Sequence, residues 1–467
     1  MKTSVELQPL AAESLRADPR VAHALQLLQE AVAEASSKVS GVRKADAGRA
    51  ADYQSLLDRM TQARGAATYF RYLSSGMGNG PWVELADGSV KLDFICGIGV
   101  HGMGHSHPDF LQAGIEAALQ STIMQGNLQQ HIPSLEACEA LLGLAQQDAD
   151  CTLKHCLLTT SGAMANENAL KLAFHHRAPA DRVLCLNHCF AGRSIALAQL
   201  TDRPQYRMGL PTILAVDYLP GPDPENSLLA QQRSLEALDQ HLRRYPGKYA
   251  TLWLELVAGE GGYYPGSKEY FTRLIERAKQ DQLVIIFDEV QTFGRLSRPF
   301  AFQHFELSPY ADIVTVGKIS QLCATLYGEH LKPKGPLLSQ TFTAASSSIA
   351  GALAVFNRMH DDRWFGPDGW NQTRHAYFRS QLEKLAAKHP GKIGGPWGCG
   401  MMIAFTPGDG SDAVAGKMVQ ALYDAGLMSF MAGHHPARIR FLPPPGITQK
   451  EHIDAAIQIM DTVLSQF

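Results

Sequence analysis

From about residue 100 to residue 360, short apolar runs alternate with amphipathic stretches. The runs at 155–160, 183–187, 212–218, 251–257, 283–287 and 313–316 are predicted strands. Between two of them, Tyr270, Phe271, Leu274, Ile275 and Ala278 recur at helical spacing and mark one buried helix face. Strands that are apolar throughout, rather than alternating, read as buried on both faces. That is the pattern of a parallel sheet covered by helices. In such sheets functional groups collect at the carboxyl ends of the strands.

The flanks read differently. Residues 1–65 are rich in Ala, Gln and Leu, with Val21, Leu25 and Leu28 at helical spacing, and predict a helical extension. Pro81 to Ile95 predicts strands around a turn at Ala86-Asp87-Gly88. Past residue 360 the pattern predicts helices at 372–388 and 412–426, a strand near 437–442 and a last helix at 449–466. Gly- and Pro-rich segments at 391–400 and 443–446 punctuate this part. The expected organisation is an extension (1–65), a small domain from 66–100 and 361–467, and a large domain at 101–360.

Composition removes several classes of function. A net charge of -3 over 467 residues leaves no basic footprint for nucleic acid or an anionic membrane. No apolar stretch is long enough to span a bilayer. The first residues, MKTSVELQPLAAESLRADPR, hold no apolar h-region, so the cytoplasm is the expected compartment. The 8 cysteines are scattered. Cys185 and Cys189 flank His188 but lack a second pair at zinc-site spacing, so they read as free thiols and no metal is expected.

Two strand ends carry the chemistry. Asp288 closes Leu283-Val284-Ile285-Ile286-Phe287, and Lys318 closes Ile313-Val314-Thr315-Val316-Gly317. A carboxylate and an amine so placed suit pyridoxal 5'-phosphate (PLP). The amine holds the cofactor aldehyde as a Schiff base, and the carboxylate keeps the pyridine nitrogen protonated. Thr160-Ser161-Gly162-Ala163 follows a strand and opens a helix. Alone it is a plain Ser cap; beside a phosphate cofactor it becomes an anion cradle built on free N–H groups. Gly97-Ile98-Gly99-Val100-His101-Gly102 fits the dinucleotide glycine pattern, but its helix is predicted only after Pro108 and no acid follows at the required distance. His101, His105 and His107 read as polar loop residues.

These segments, in this order, resemble the class III, or ω-amino acid, aminotransferases of the fold-type I PLP enzymes. Leu92-Asp93-Phe94 with GIGVHGMGHSHP, SGAMANENALKLA, Phe190-Ala-Gly-Arg-Ser, ELVAGEGG, FDEVQTFGR, DIVTVGK, Thr341-Phe342 and RIRFLPPP carry the likeness over roughly residues 75–460. The resemblance implies an α/β fold: an aspartate-aminotransferase-like, PLP-binding large domain with a mostly parallel sheet, and a smaller α+β domain. It implies that Lys318 carries PLP, that Asp288 pairs with the ring nitrogen, and that Val290 and Phe190 cover the ring faces. Gln291 is expected near the ring hydroxyl. Ser161, Gly162 and Ala163 are expected at the phosphate, joined by Thr341 of a second copy in a homodimer with shared sites. Arg193 and Arg440 match carboxylate-binding arginines, and Glu260 matches a glutamate that masks the second of them.

The implied reaction moves an amino group from an amine or ω-amino acid to a keto acid such as 2-oxoglutarate or pyruvate. An aminomutase, racemase or decarboxylase on the same cofactor stays open at this point. A non-catalytic relative is disfavoured by the retention of both Asp288 and Lys318. The departures from the family pattern gather near the substrate mouth and the dimer face. Met164 replaces a Glu and Ala191 a His, and a Gly is missing after Gln291-Thr292. Ile-Ser-Gln-Leu-Cys follows Lys318, and Gln321 with Cys323 resembles the lysine ε-aminotransferase subgroup. Thr-Ala-Ala-Ser follows Phe342 in place of Gly-Gly-Asn-Pro.

Overall fold

The computed structural model describes residues 8–121, 126, 128–343 and 345–467. Residues 1–7 of the predicted extension, and Ala344 in the segment after Thr341, lie outside the described residues.

The site is organised by a seven-stranded sheet. Its order is Leu153–Thr159, Cys323–Gly328, Ile313–Val316, Val284–Asp288, Tyr249–Leu254, Arg182–Leu186, Ala215–Leu219. The strands from Ile313–Val316 to Ala215–Leu219 run parallel. Every residue of Tyr249–Leu254, Val284–Asp288 and Ile313–Val316 is buried, as unalternated apolar runs require. Helix Lys268–Gln280 buries the expected face, Tyr270, Phe271, Leu274, Ile275 and Ala278. Ser267 caps it, its hydroxyl accepting the Tyr270 N–H at 3.1 Å.

One strand of this sheet escapes the sequence pattern. Cys323–Gly328 runs antiparallel between Leu153–Thr159 and Ile313–Val316. It follows Ile313–Val316 through a tight turn in which Lys318 and Gln321 take left-handed φ of 55° and 59°. With no helical crossover between the two strands, the alternation of strand and helix breaks here. Asp288, Thr315 and Thr325 are direct partners across three neighbouring strands, a polar rung in an otherwise apolar sheet.

Two smaller sheets flank the large one. Ser74–Asn79, Trp82–Leu85 and Val90–Asp93 form an antiparallel set, joined in parallel by Leu427–Met428 from the C-terminal part. The other sheet orders Ile393–Cys399, Met402–Pro407, Ala437–Phe441 and Phe430–Gly433. The Gly-Pro segment expected only to punctuate is therefore a strand. It pairs with Met402–Pro407 through an irregular register between Gly394 and Trp397, which accommodates Pro396. Helices Pro19–Ser37 and Ala50–Arg64 precede these sheets. The first is capped by Asp18 and touches the body through the Ser36 hydroxyl, which donates to the Gly78 carbonyl at 2.5 Å. Among the described residues no helix is long and apolar enough to cross a membrane.

Candidate active site at the carboxyl edge of the sheet

The parallel strands deliver their last residues to one edge, and a cavity of about 470 Å³ lies there. Gly162, Ala163, Phe190, Arg193, Glu260 and Asp288 line it, with Val290, Gln291 and Lys318. The structure thus gathers residues predicted from five separate segments. Ser161 stands one position outside the lining, as the cap of helix Gly162–Arg177, its hydroxyl accepting the Met164 N–H at 3.1 Å. Arg440 is fully buried and reaches the cavity through Glu260, to which its Nη2 donates. Its Nη1 donates to the Gly259 carbonyl at 3.1 Å. Thr341 is exposed and does not join the others within one chain.

Asp288 is 6% exposed. Burial pushes its carboxyl up to about 6, against the Val290 N–H at 2.9 Å and the Asn166 amide at 2.7 Å, which favour the ionised form. Burial holds the Lys318 amine down at about 8, with Glu260 pulling it upward and Arg440 pushing it further down. An amine lowered that far holds a neutral fraction near physiological pH far larger than an ordinary lysine's, and that fraction can act as a nucleophile and base.

Glu260 stays below its usual range. Burial raises it, but the Arg440 guanidinium outweighs that. Arg193 is exposed at the lip, its guanidinium carbon 3.7 Å from the centre of the Tyr206 ring.

Two residues escaped the sequence reading. Asn166 is 1% exposed and links three elements. Its Nδ2 donates to Asp288 and, at 2.9 Å, to the Ala191 carbonyl. Its Oδ1 accepts from the Thr315 hydroxyl at 2.9 Å and from the Trp253 indole at 3.4 Å. The signal was available: Asn166 sits on the buried helix stripe with Ala165, Ala169 and Leu170. A polar residue on such a stripe needs partners. Glu255 follows Tyr249–Leu254 as Asp288 ends its own strand. Its two oxygens accept the Phe190 N–H at 2.9 Å and the Gly259 N–H at 3.1 Å. Burial, then the nearby Asp288, pushes it up to about 8.

The residues present fit PLP. Helix Gly162–Arg177 starts at the cavity, so its free N–H groups can face a phosphate. Gly162 is needed there, since a Cβ would come within 2.8 Å of Val290 Cγ1. Gln291 Oε1 is buried with no hydrogen-bond partner among the described residues, an acceptor awaiting a hydroxyl. A carboxylate, an amine, a phosphate cradle and apolar covers at Val290 and Phe190 are what the cofactor requires.

This combination defines a PLP-dependent enzyme of fold type I. A family model described as "Aminotransferase class-III" matches residues 62–464. The chain belongs to the class III aminotransferases and is a PLP-dependent transaminase. Its curated relatives include the acetylornithine aminotransferase of Methanocaldococcus jannaschii, 29% identical over 411 residues, covering 83% of this chain and 92% of that protein. The acetylornithine aminotransferase of Bacillus subtilis is also 29% identical, over 82% of this chain and 93% of that protein. Among solved structures, the lysine aminotransferase from M. tuberculosis superposes with a TM-score of 0.78 at 23% identity, over 88% of this chain and 99% of that one. A Bacillus anthracis aminotransferase gives 0.78 at 18% identity, over 90% and 99%.

Proposed function

We propose that this transaminase takes an ω-amine of an amino acid as donor and a keto acid such as 2-oxoglutarate or pyruvate as acceptor. The observation that carries the donor class is the buried Glu260–Arg440 pair beside Lys318. While Glu260 neutralises Arg440, a donor can present an amine here without presenting a carboxylate. When Glu260 turns away, Arg440 offers a bidentate fork to the keto acid. The relatives whose names specify acetylornithine and lysine act on amino acids that carry a side-chain nitrogen, which supports the same class.

Bound PLP supplies an electron sink conjugated with the amine-bearing carbon. Lys318 would hold the cofactor through Nζ and, once free of it, its amine would serve as the base for the proton on the amine-bearing carbon and then as the acid that gives it up. Asp288, fixed by Asn166 and Val290, holds a proton on the ring nitrogen through its negative charge. Val290 and Phe190 would cover the two ring faces, and Gln291 would accept from the ring hydroxyl. Ser161, Gly162 and Ala163 bind the phosphate, with Thr341 of a second copy. A homodimer is supported by exposed apolar residues near that segment. Phe342 is 66% exposed and Leu128 78%, and Gly126 packs against Thr343. Sedimentation of the holoenzyme as a monomer would remove the shared site. All eight cysteines are free, which fits the reducing cytoplasm.

The test is a half-reaction screen. ω-Amine donors should convert the cofactor spectrum to the pyridoxamine form without acceptor; among α-amino acids only the one matching the keto-acid acceptor, by the reverse of the second half-reaction, should do so as readily. Lys318→Ala should bind PLP without covalent attachment and lose turnover. Full activity in that variant overturns the assignment.

A further inference from the structure

A second cavity, of about 370 Å³, lies along the same edge of the large sheet. Leu186, Pro220 and Glu255, just at or past the ends of three neighbouring strands, form one wall. Trp397 and Arg438, from two strands of the C-terminal sheet, form the other. Glu255 lines both cavities, so the second one backs onto the first.

Arg438 sets the chemistry. It is 2% exposed, and its guanidinium stacks on two rings, 3.8 Å from the centre of Tyr264 and 4.3 Å from that of Trp397. Its Nη1 donates to the Gly262 carbonyl at 2.6 Å. Its Nε is buried and has no acceptor among the described residues. No carboxylate among them pairs with it, unlike Arg440 two residues on. A guanidinium carries five N–H donors in a flat fork, and leaving a buried one unmet is costly. Burial holds the group down at about 10, and the charges of Glu225 and Asp223 are among those pulling it back. Those two acids belong to the rim, Asp223 part-buried and Glu225 exposed. Pro222, Pro436 and Ala258 make apolar wall between the two poles.

We propose that this cavity binds a free amino acid, with its carboxylate on Arg438, its ammonium toward Asp223 and Glu225, and a small apolar side chain against the prolines. A simple amine would leave Arg438 unmet, and a dianion would meet two acids at the rim. The inference rests on this cavity alone and stands whichever donor the transaminase uses.

The probe is 1-aminocyclopentane-1-carboxylate, which has no hydrogen on its amine-bearing carbon and so offers no proton there for Lys318 to take. Calorimetric titration into the PLP-loaded enzyme should show binding. Arg438→Met should weaken that binding about tenfold or more, the effect of losing a charge-assisted hydrogen bond. Asp223→Asn combined with Glu225→Gln, at the rim, should weaken it about fivefold by the same kind of loss. Arg440→Met, in the first cavity, should leave it unchanged. Cyclopentanecarboxylate and cyclopentylamine should each bind more weakly than the amino acid. No binding, binding indifferent to Arg438→Met and to the rim variant, or binding abolished by Arg440→Met would each overturn the proposal. A carboxylate that binds as tightly as the amino acid would do the same.

Discussion

Replacing Asn166 by leucine keeps the number and branching of side-chain heavy atoms and removes every hydrogen bond the side chain makes. The Thr315 hydroxyl can rotate toward another acceptor, and the Trp253 contact, at 3.4 Å, is long and loses little. The damage falls on Asp288 and on the Ala191 carbonyl. A hydrogen bond to an ionised group contributes about 1.5–3 kcal/mol, and an orphaned buried carbonyl costs about 1–3 kcal/mol, so folding should weaken by roughly 3–5 kcal/mol. Losing the first of these also raises the Asp288 carboxyl by about one to two pH units. Its folded value, about 6, already lies above the ordinary 3.8. A carboxyl raised on folding stabilises the fold at low pH, and that contribution is lost as pH rises from about 4 to about 6. In the variant the loss should extend to about pH 7–8. PLP loading needs Asp288 ionised, so its pH midpoint should climb by the same one to two units. Urea unfolding and visible absorbance of dialysed protein, both across pH, measure the two effects. An Asn166→Leu enzyme that loads PLP with the wild-type pH profile would refute the role given to this residue.

Lys318→Met should stabilise the enzyme stripped of cofactor. The amine sits at about 8 instead of 10.5, so the folded state is penalised below pH 8 and recovers as pH rises through that window. Allowing for water in the cavity, the gain near pH 7 is about 2 kcal/mol, read from urea unfolding, and it should shrink as pH rises from about 8 and vanish near 10.5. Glu260→Ala should leave Arg440 permanently available. The ratio of kcat/KM for α-amino donors to that for ω-amine donors should rise about tenfold, the equivalent of 1.4 kcal/mol, and an unchanged ratio would remove the switching role.

Much of the site could be read from the sequence because its chemistry is local to strand ends. Asp288 and Lys318 each terminate an apolar run, and a charged residue at that position stands out against its neighbours. Glu255 obeys the same rule but was absorbed into a longer predicted strand, 251–257, and so did not read as a terminus. Asn166 depends on tertiary contact: its importance comes from Asp288, Ala191 and Thr315, which the chain brings to it from distant segments. The antiparallel strand Cys323–Gly328 was hidden because a reversal within a few residues of Lys318 carries no helix to announce it. The strand Ile393–Cys399 was hidden by its glycines and proline, which weaken strand propensity and are tolerated through the irregular register beside Pro396.

The rung of Asp288, Thr315 and Thr325 bears on how the enzyme can change. Thr315 reaches Asn166, and the Thr325 hydroxyl donates to the Ala165 carbonyl at 2.9 Å, so the first turn of helix Gly162–Arg177 is fastened by directional bonds. An apolar contact would tolerate rotation of the helix about its axis, whereas hydrogen bonds admit one setting. Because strand register decides which face a side chain occupies, a one-residue slip of Ile313–Val316 would present a valine to Asn166. Changes in strand length can therefore accumulate at the amino edge of this sheet without touching cofactor geometry, while the carboxyl edge is locked in register. Variation that alters which amine is accepted is left to loops and side chains that point away from the rung.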